Sequence, residues 1–182
     1  KFHIGFAAGS GITPILSIVT SVLRNEPTSR FALFYGNRKQ NTTMFIEDLF
    51  ALKNQYPQRL QLHFVFSQEE QEFAISGGRI DADKVNELLD CFCSGDTVDE
   101  AWICGPDSMI ETVVDALLEQ GLGADAGHAE RFGVPQKGAG TAAPVVEAGT
   151  DSVAVTVIMD GHEKSFDMPR TGLNIVDAAA EH

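Results

Sequence analysis

Residues 2–14 constrain this chain more than any other stretch. The apolar run Phe2-His3-Ile4-Gly5-Phe6-Ala7-Ala8 leads without a spacer into Gly9-Ser10-Gly11-Ile12-Thr13-Pro14, and then into Ile15, Leu16, Ile18, Val19, Val22 and Leu23 at helical spacing. That order is strand, glycine turn, helix. Two glycines let the backbone turn sharply and approach a ligand with no Cβ in the way. The first amides of a helix have no partner within it and favour negative charge. The turn therefore reads as an anion site into which a phosphate fits. Thr13 is placed to cap the helix through its hydroxyl, and Pro14 suits the first helical position, where its missing N–H costs nothing.

The same rhythm recurs. Asn25-Glu26-Pro27 breaks the first helix, Phe31-Ala32-Leu33-Phe34-Tyr35 reads as a buried strand, and Phe45, Leu49 and Leu52 mark a second helix. Leu60-Gln61-Leu62-His63-Phe64-Val65-Phe66 is the third strand, and the Gly77-Gly78 turn precedes a helix marked by Val85, Leu88 and Leu89. Ala101-Trp102-Ile103-Cys104 is a short fourth strand and Gly105-Pro106 a turn. Met109, Ile110, Val113, Val114, Leu117 and Leu118 are then the apolar stripe of a helix ending near Gly121. Residues 126–132 supply one last strand. Strands alternating with helices predict an α/β fold, a doubly wound parallel sheet covered on both faces.

Residues 1–133 thus form one expected domain. Residues 134–150 are rich in Gly, Ala and Pro without periodicity, the composition of a flexible linker. Beyond them, Val153-Ala154-Val155-Thr156-Val157-Ile158-Met159 and Glu163-Lys164-Ser165-Phe166 flank Asp160-Gly161-His162, a hairpin signal. A helix then begins at Leu173-Asn174-Ile175. A hairpin and one helix in about 30 residues bury too little surface to be stable alone, so residues 151–182 read as the opening of a second module. With no initiator Met and a strand already under way at Phe2, the chain is expected to be a piece of a longer protein.

Bulk properties narrow the function classes. No apolar run nears the roughly 20 residues that cross a bilayer and no basic-then-apolar segment resembles a signal peptide, so a cytoplasmic protein without membrane contact is expected. The formal charge of −13 argues against nucleic-acid binding, yet it is unevenly spread. Residues 1–68 carry seven basic groups against three acidic, residues 79–130 two against thirteen, so the half holding the glycine turn is the half that could attract an anion. Cys91, Cys93 and Cys104 suit reduced thiols better than a disulfide framework, and His3, His63 and His162 show no metal-ligand spacing.

In an open parallel sheet ligands bind beyond the carboxyl ends of the strands, where strand order reverses. The loops at such ends are residues 9–13, Gly36-Asn37-Arg38-Lys39, Ser67-Gln68-Glu69 and Gly105-Pro106-Asp107. They could supply a pyrophosphate cradle, an adenosine-ribose contact and a nicotinamide seat. An NAD site usually places an acid at the second strand end to hold the ribose 2′-OH, whereas this chain has Arg38 and Lys39. A guanidinium pairs with a 2′-phosphate through two hydrogen bonds, which favours NADP; an ordinary exposed basic pair is the other reading. Ser67 either donates to the same group or caps a turn. Cys104 is either a nucleophile or a packing contact, and no base for the first role is evident nearby in sequence.

These loops, in this order, resemble the NADP-binding domain of the ferredoxin–NADP reductase superfamily. Gly9-Ser10-Gly11-Ile12-Thr13-Pro14 is similar to its pyrophosphate loop, Tyr35-Gly36-Asn37-Arg38 to its adenosine loop, and Cys104-Gly105-Pro106, with Met109 following, to its nicotinamide loop. Gly77-Gly78-Arg79-Ile80 is similar to a further turn of the family, and Glu130-Arg131-Phe132 to the segment whose aromatic ring lies against the flavin. The tail from Val153 to His182 resembles the first hairpin and helix of a plant-type [2Fe–2S] ferredoxin domain. A reductase followed by a ferredoxin domain is the arrangement of oxygenase reductases. The resemblance implies that NADPH gives a hydride to FAD in the full-length protein and that electrons pass through a [2Fe–2S] cluster to an oxygenase component. It further implies that Gly9, Gly11 and Thr13 hold the pyrophosphate, Arg38 and Ser67 the 2′-phosphoribose, and Cys104 the nicotinamide, with Phe132 shielding the isoalloxazine. FAD and the cluster would be held by the full-length protein only, by an FAD domain and a ferredoxin domain of the same chain. The alternatives are the reductase of one or another aromatic-ring or alkane oxygenase, and a non-catalytic nucleotide-binding module.

Overall fold

The computed structural model describes residues 1–131, 152–159, 162–169 and 178. Two compact units divide the chain, Lys1–Val134 and Pro135–His182. In the first, β1 (Phe2–Ala8), β2 (Arg30–Asn37), β3 (Leu60–Phe66), β4 (Glu100–Cys104) and β5 (Gly127–Glu130) form one sheet in the order β3-β2-β1-β4-β5, with every pairing parallel. Between them run α1 (Ile12–Asn25), α2 (Ile46–Gln55), α3 (Ala82–Phe92) and α4 (Asp107–Glu119). The doubly wound parallel sheet expected from the sequence is the fold observed.

Strand periodicity explains why the sheet is covered twice. Successive side chains point to opposite faces. Phe31, Leu33 and Tyr35 of β2 join Ile15, Val19 and Leu23 of α1 and Leu49 of α2 in one core, while Ala32 and Phe34 join Val85 and Leu88 of α3 and Ile110 and Val113 of α4 in the other. Burying each such large apolar side chain contributes about 1.5–3 kcal/mol, and twelve of the largest are essentially inaccessible to solvent. Arg59 adds a polar tie. Its Nη2 donates to the Leu23 carbonyl at 2.7 Å and Nη1 to that of Glu26 at 2.9 Å, which satisfies the C-terminal end of α1 and puts a cation where the helix dipole favours one.

Two local expectations are corrected. Residues 9–11 form a 3₁₀ turn that runs straight into α1 at Ile12, and Thr13 does not cap it: its Oγ1 donates to the Ser10 carbonyl at 2.9 Å. Pro14 consequently lies within the first turn rather than at its first position, still where no intrahelical N–H bond is lost. The second helix begins after Phe45, which sits in the left-handed region at φ 56°, ψ 25°. A bulky residue there is strained.

In the second unit β6 (Ser152–Met159) and β7 (His162–Pro169) pair antiparallel, with Met159 opposite His162. This is the expected hairpin, two residues joining its strands. Of the helix expected from residue 173, Ala178 alone is described, in helical conformation, and the linker at 134–150 lies outside the described residues.

A pH dependence follows from the edge of the sheet. His63 on β3 stacks on Phe92 with ring centroids 3.7 Å apart and on Phe34 at 5.3 Å. Burial, assisted by the charge of Lys53, pushes its pKa down to about 4, against about 6.5 in an unfolded chain. Between those values the unfolded state binds more protons. This contribution is therefore complete above about pH 6.5, falls as pH drops toward 4, and changes no further below that. Urea unfolding at pH 7 and pH 5 is expected to show a smaller loss of stability in His63→Phe than in the wild type.

Candidate functional site

The chain moves from β1 outward through β2 to β3, then returns across the sheet to β4 on the other side of β1. Strand order therefore reverses between β1 and β4, and their carboxyl ends, at Ala8 and Cys104, open a crevice. It widens into a cleft of about 900 Å³ bordered by Gly9, Ser10 and Gly11 after β1, Asn37 and Arg38 after β2, Ser67 after β3, and Gly105, Pro106 and Met109 after β4. These nine residues of the sequence reading come together at one end of the sheet.

Gly11 shows how tightly the crevice is built. A Cβ there would lie 2.2 Å from the carbonyl oxygen of Cys104, 2.5 Å from its carbon and 2.9 Å from the nitrogen of Gly105. Only glycine lets the loop after β1 touch the backbone leaving β4. Gly9 is needed for a different reason, its φ of +53°, and has open space around it.

Both helices that begin here start without a side-chain cap. The residue before α1 is Gly11 and that before α4 is Pro106, whereas α3, whose preceding residue also borders the cleft, is capped by Asp81, whose Oδ1 accepts from the Lys84 amide at 3.0 Å. The Ile12 amide donates to the Gly9 and Ser10 carbonyls, while the other leading amides of an uncapped first turn remain for an external acceptor and the helix dipole adds a partial positive charge. A capping hydroxyl at Thr13 would have competed for those amides. Arg38 and Arg79 add full charges. Neither guanidinium has a hydrogen-bond or ion-pair partner among the described residues, and Asp81 is the one carboxylate among the described residues that border the cleft.

The other residues of the sequence reading sit outside the lining. Tyr35 is buried, and its hydroxyl donates to the Gly9 carbonyl at 3.0 Å, so it braces the glycine turn from below; burial pushes its pKa up. Thr13 holds Ser10 as described, and Pro14 follows in the helix. Cys104 is fully buried in the core beside α1 and borders the cleft through its backbone neighbours; burial, and then the charge of Glu130, push its thiol pKa up. Phe132 lies outside the described residues. Arg131 just before it pairs with Asp107 of α4 at 2.9 Å. A disulfide reagent at pH 8 is expected to label the exposed Cys91 rapidly, and Cys104 and Cys93, whose pKa is pushed up to about 11, only on unfolding.

Thr42, Arg79, Ser108 and Thr112 also border the cleft. The sequence shows residues 77–78 as a turn but not that the turn folds back to the site. It does so because Gly77 bridges to Phe66, the Gly78 amide donates to the Phe66 carbonyl at 3.0 Å, and Ile80 packs over Gly36. Among the described residues no group of His, Cys, Asp or Glu is placed to hold a metal ion, and no helix is long and apolar enough to cross a membrane.

Comparison with known proteins agrees with this architecture. Residues 6–115 match the family model of the oxidoreductase NAD-binding domain. The chain is 40% identical over 178 residues to a component of the 1,2-phenylacetyl-CoA epoxidase of Escherichia coli, covering 97% of this chain and 49% of that protein. It is 32% identical over 170 residues to the ferredoxin reductase component of 3-ketosteroid-9-alpha-monooxygenase from Rhodococcus rhodochrous, covering 91% and 45%. It thus spans about half the length of the curated relatives it matches. Among solved structures, ferredoxin–NADP⁺ reductase from Plasmodium falciparum superposes with a TM-score of 0.54 at 20% identity, over 72% of this chain and 52% of that one, a likeness of fold. With a glycine turn, two uncapped helix starts and a strand-order reversal in one crevice, the chain belongs to the oxidoreductase NAD-binding domain family and has the ferredoxin–NADP reductase fold.

Proposed function

We propose that residues 1–133 are the NADPH-binding domain of an oxygenase reductase, followed by a linker at 134–150 and, in 151–182, the opening of a [2Fe–2S] ferredoxin-type domain. The observation that carries the reading is the convergence of the ends of β1, β2, β3 and β4 on one cleft that is rich in unpaired donors. The diphosphate lies on the amides of residues 9–13 and the first turn of α4, where Gly11 leaves room for it against the backbone of β4. The 2′-phosphate lies toward Arg38 and Ser67. The Gln68 amide donates to the Arg38 carbonyl and the Ser67 amide to that of Asn37, both at 2.9 Å, so the two side chains sit at adjoining strand ends. Asn37 contributes a buried Nδ2 with no hydrogen-bond partner among the described residues, a donor that a ligand oxygen would satisfy.

The nicotinamide lies at Cys104, Gly105 and Pro106, with Cys104 setting the strand end from within the core and Phe132 closing the flavin side. In the full-length protein NADPH supplies a hydride to FAD, and electrons leave through a [2Fe–2S] cluster to an oxygenase component. Kinship to the phenylacetyl-CoA epoxidase component supports aromatic-ring degradation, in particular that of phenylacetate, as the setting. This chain's own part is to bind and orient the nucleotide.

Calorimetry with 2′,5′-ADP and 5′-AMP tests the cofactor assignment. Charge-assisted hydrogen bonds contribute about 1.5–3 kcal/mol, so 2′,5′-ADP is expected to bind roughly ten- to a hundredfold tighter. Equal affinities would overturn the NADP assignment.

A further inference from the structure

The sheet ends at β3, and part of that edge is open. Backbone groups of a strand point alternately to either side. The Phe31 amide donates to the Arg59 carbonyl, so Arg59, Gln61, His63 and Val65 face β2, while Leu60, Leu62, Phe64 and Phe66 face away from the sheet. The ends of this outer row are satisfied. The Leu60 amide donates to the Tyr56 carbonyl and the Leu60 carbonyl accepts from Lys53 Nζ; Phe66 is bridged to Gly77, and its carbonyl accepts from the Gly78 amide at 3.0 Å. Between them, the amides and carbonyls of Leu62 and Phe64 have no partner among the described residues.

The side chains around this window are apolar. A groove of about 210 Å³ lies against it, between Leu62, Phe64 and Phe66, Phe92 of α3, and Gln71 and Ile75 of the segment after β3. That is below the roughly 300–1,000 Å³ of sites that enclose a cofactor. Phe50, 47% exposed, packs on Phe64 with ring centroids 5.8 Å apart, and Phe73 is 66% exposed. Residues 60–66 hold no acid, lysine, arginine or proline, which are among the devices that keep an edge strand from pairing. Charge changes sign along the edge. Lys53 and Arg59 stand at its amino end, where both donate to carbonyls and neither pairs with a carboxylate among the described residues. Beyond its carboxyl end Glu70 and Glu72, both exposed, flank Gln71.

We infer that the open edge of β3 is a docking site for an extended segment of a partner protein, which adds antiparallel to Leu62 and Phe64 and carries, in chain order, a basic residue, two large apolar residues separated by one other, and an acidic residue. Antiparallel addition lets three residues satisfy all four free backbone groups. Parallel addition spreads the same bonds over five residues, a length that the bonded ends of the window do not leave. The two apolar side chains meet Leu62, Phe64 and Phe50, the residue between them faces His63 and Phe92, and each charge falls beside its opposite on the edge. A second copy of β3 does not fit: with His63 opposite its counterpart, the second copy's Leu60 would fall opposite Phe66, where Gly77 already lies.

The probe is a fluorescently labelled peptide, Lys-Ile-Thr-Ile-Glu with blocked termini, titrated with the whole chain and followed by anisotropy. Saturable binding is expected, with hydrogen exchange slowed at the amides of Leu62 and Phe64 and unchanged at those of Gln61 and His63, which already face β2. N-methylation of either isoleucine, whose amide faces the edge, is expected to weaken binding about tenfold or more, and N-methylation of the threonine, whose amide faces away, less than about threefold. Exchanging the lysine and the glutamate is expected to weaken binding at low salt, by a factor that shrinks as salt rises. Absence of saturable binding, equal effects of methylation at all three positions, or protection that appears elsewhere while Leu62 and Phe64 exchange freely each overturns the proposal. So does a free chain that sediments as a dimer with the Leu62 and Phe64 amides already protected.

Discussion

Replacing Gly11 by alanine is expected to abolish measurable nucleotide binding and to destabilise the domain by about 2–3 kcal/mol, toward the upper end of the overpacking range. The new Cβ would stand 2.2 Å from the Cys104 carbonyl oxygen and within 3 Å of two further backbone atoms. No side-chain rotation relieves contact with backbone, so the loop after β1 must move away from β4. That movement separates the two uncapped helix starts that form the proposed diphosphate site. Gly9→Ala is the informative control. Its Cβ would meet nothing within 4 Å, and the cost is the left-handed φ of +53°, about 1–2 kcal/mol. Chemical unfolding together with nucleotide titration separates the cases: Gly9→Ala folds less stably but keeps a closed crevice and binds, Gly11→Ala does not bind.

The second large effect is expected at Arg38. Arg38→Ala should remove most of the preference for 2′,5′-ADP over 5′-AMP, a loss of about 1.5–3 kcal/mol or roughly ten- to a hundredfold in Kd, while NADH binding changes less than twofold. Its guanidinium has no partner among the described residues, so stability should not move. Lysine at this position keeps the charge but not the two-pronged geometry, and is expected to restore only part of the preference. An Arg38→Ala variant that loses NADH and NADPH binding alike would place this side chain on the diphosphate instead.

How much of this is legible in the sequence depends on how local its causes are. β1 and β3 appear at the expected residues, 2–8 and 60–66, because each is an apolar run bounded by turn residues. β2 extends beyond the apolar run 31–35 to Arg30–Asn37, since pairing with β1 from Phe2 opposite Arg30 to Ala8 opposite Gly36 sets its length. The start of α1 differs from expectation because Thr13 and Pro14 are strong local signals for a helix start, whereas the tight approach of Gly11 to β4 fixes where the turn ends. The left-handed Phe45 carries no composition signal at all.

The site divides along the same line. The glycine turn, the basic residue after β2 and the Gly-Pro after β4 announce themselves through residue type and position at strand ends. Arg79 does not, because it reaches the cleft only when the segment after β3 folds back on Phe66 and Gly36, a contact between residues distant in the chain. The inward placement of the Cys104 side chain is equally hidden; alternation along a five-residue strand buried on both faces does not say which side a thiol takes.

Amide chemical shifts of the ¹⁵N-labelled chain, followed through a titration with NADPH, test the central claim most directly. If a diphosphate is gripped where β1 and β4 part, the largest changes fall on the amides of Ser10, Gly11, Thr13, Gly105 and Ser108, with smaller ones at Arg38 and Arg79. If those five amides stay fixed while NADPH saturates a site elsewhere, the crevice is not the nucleotide site.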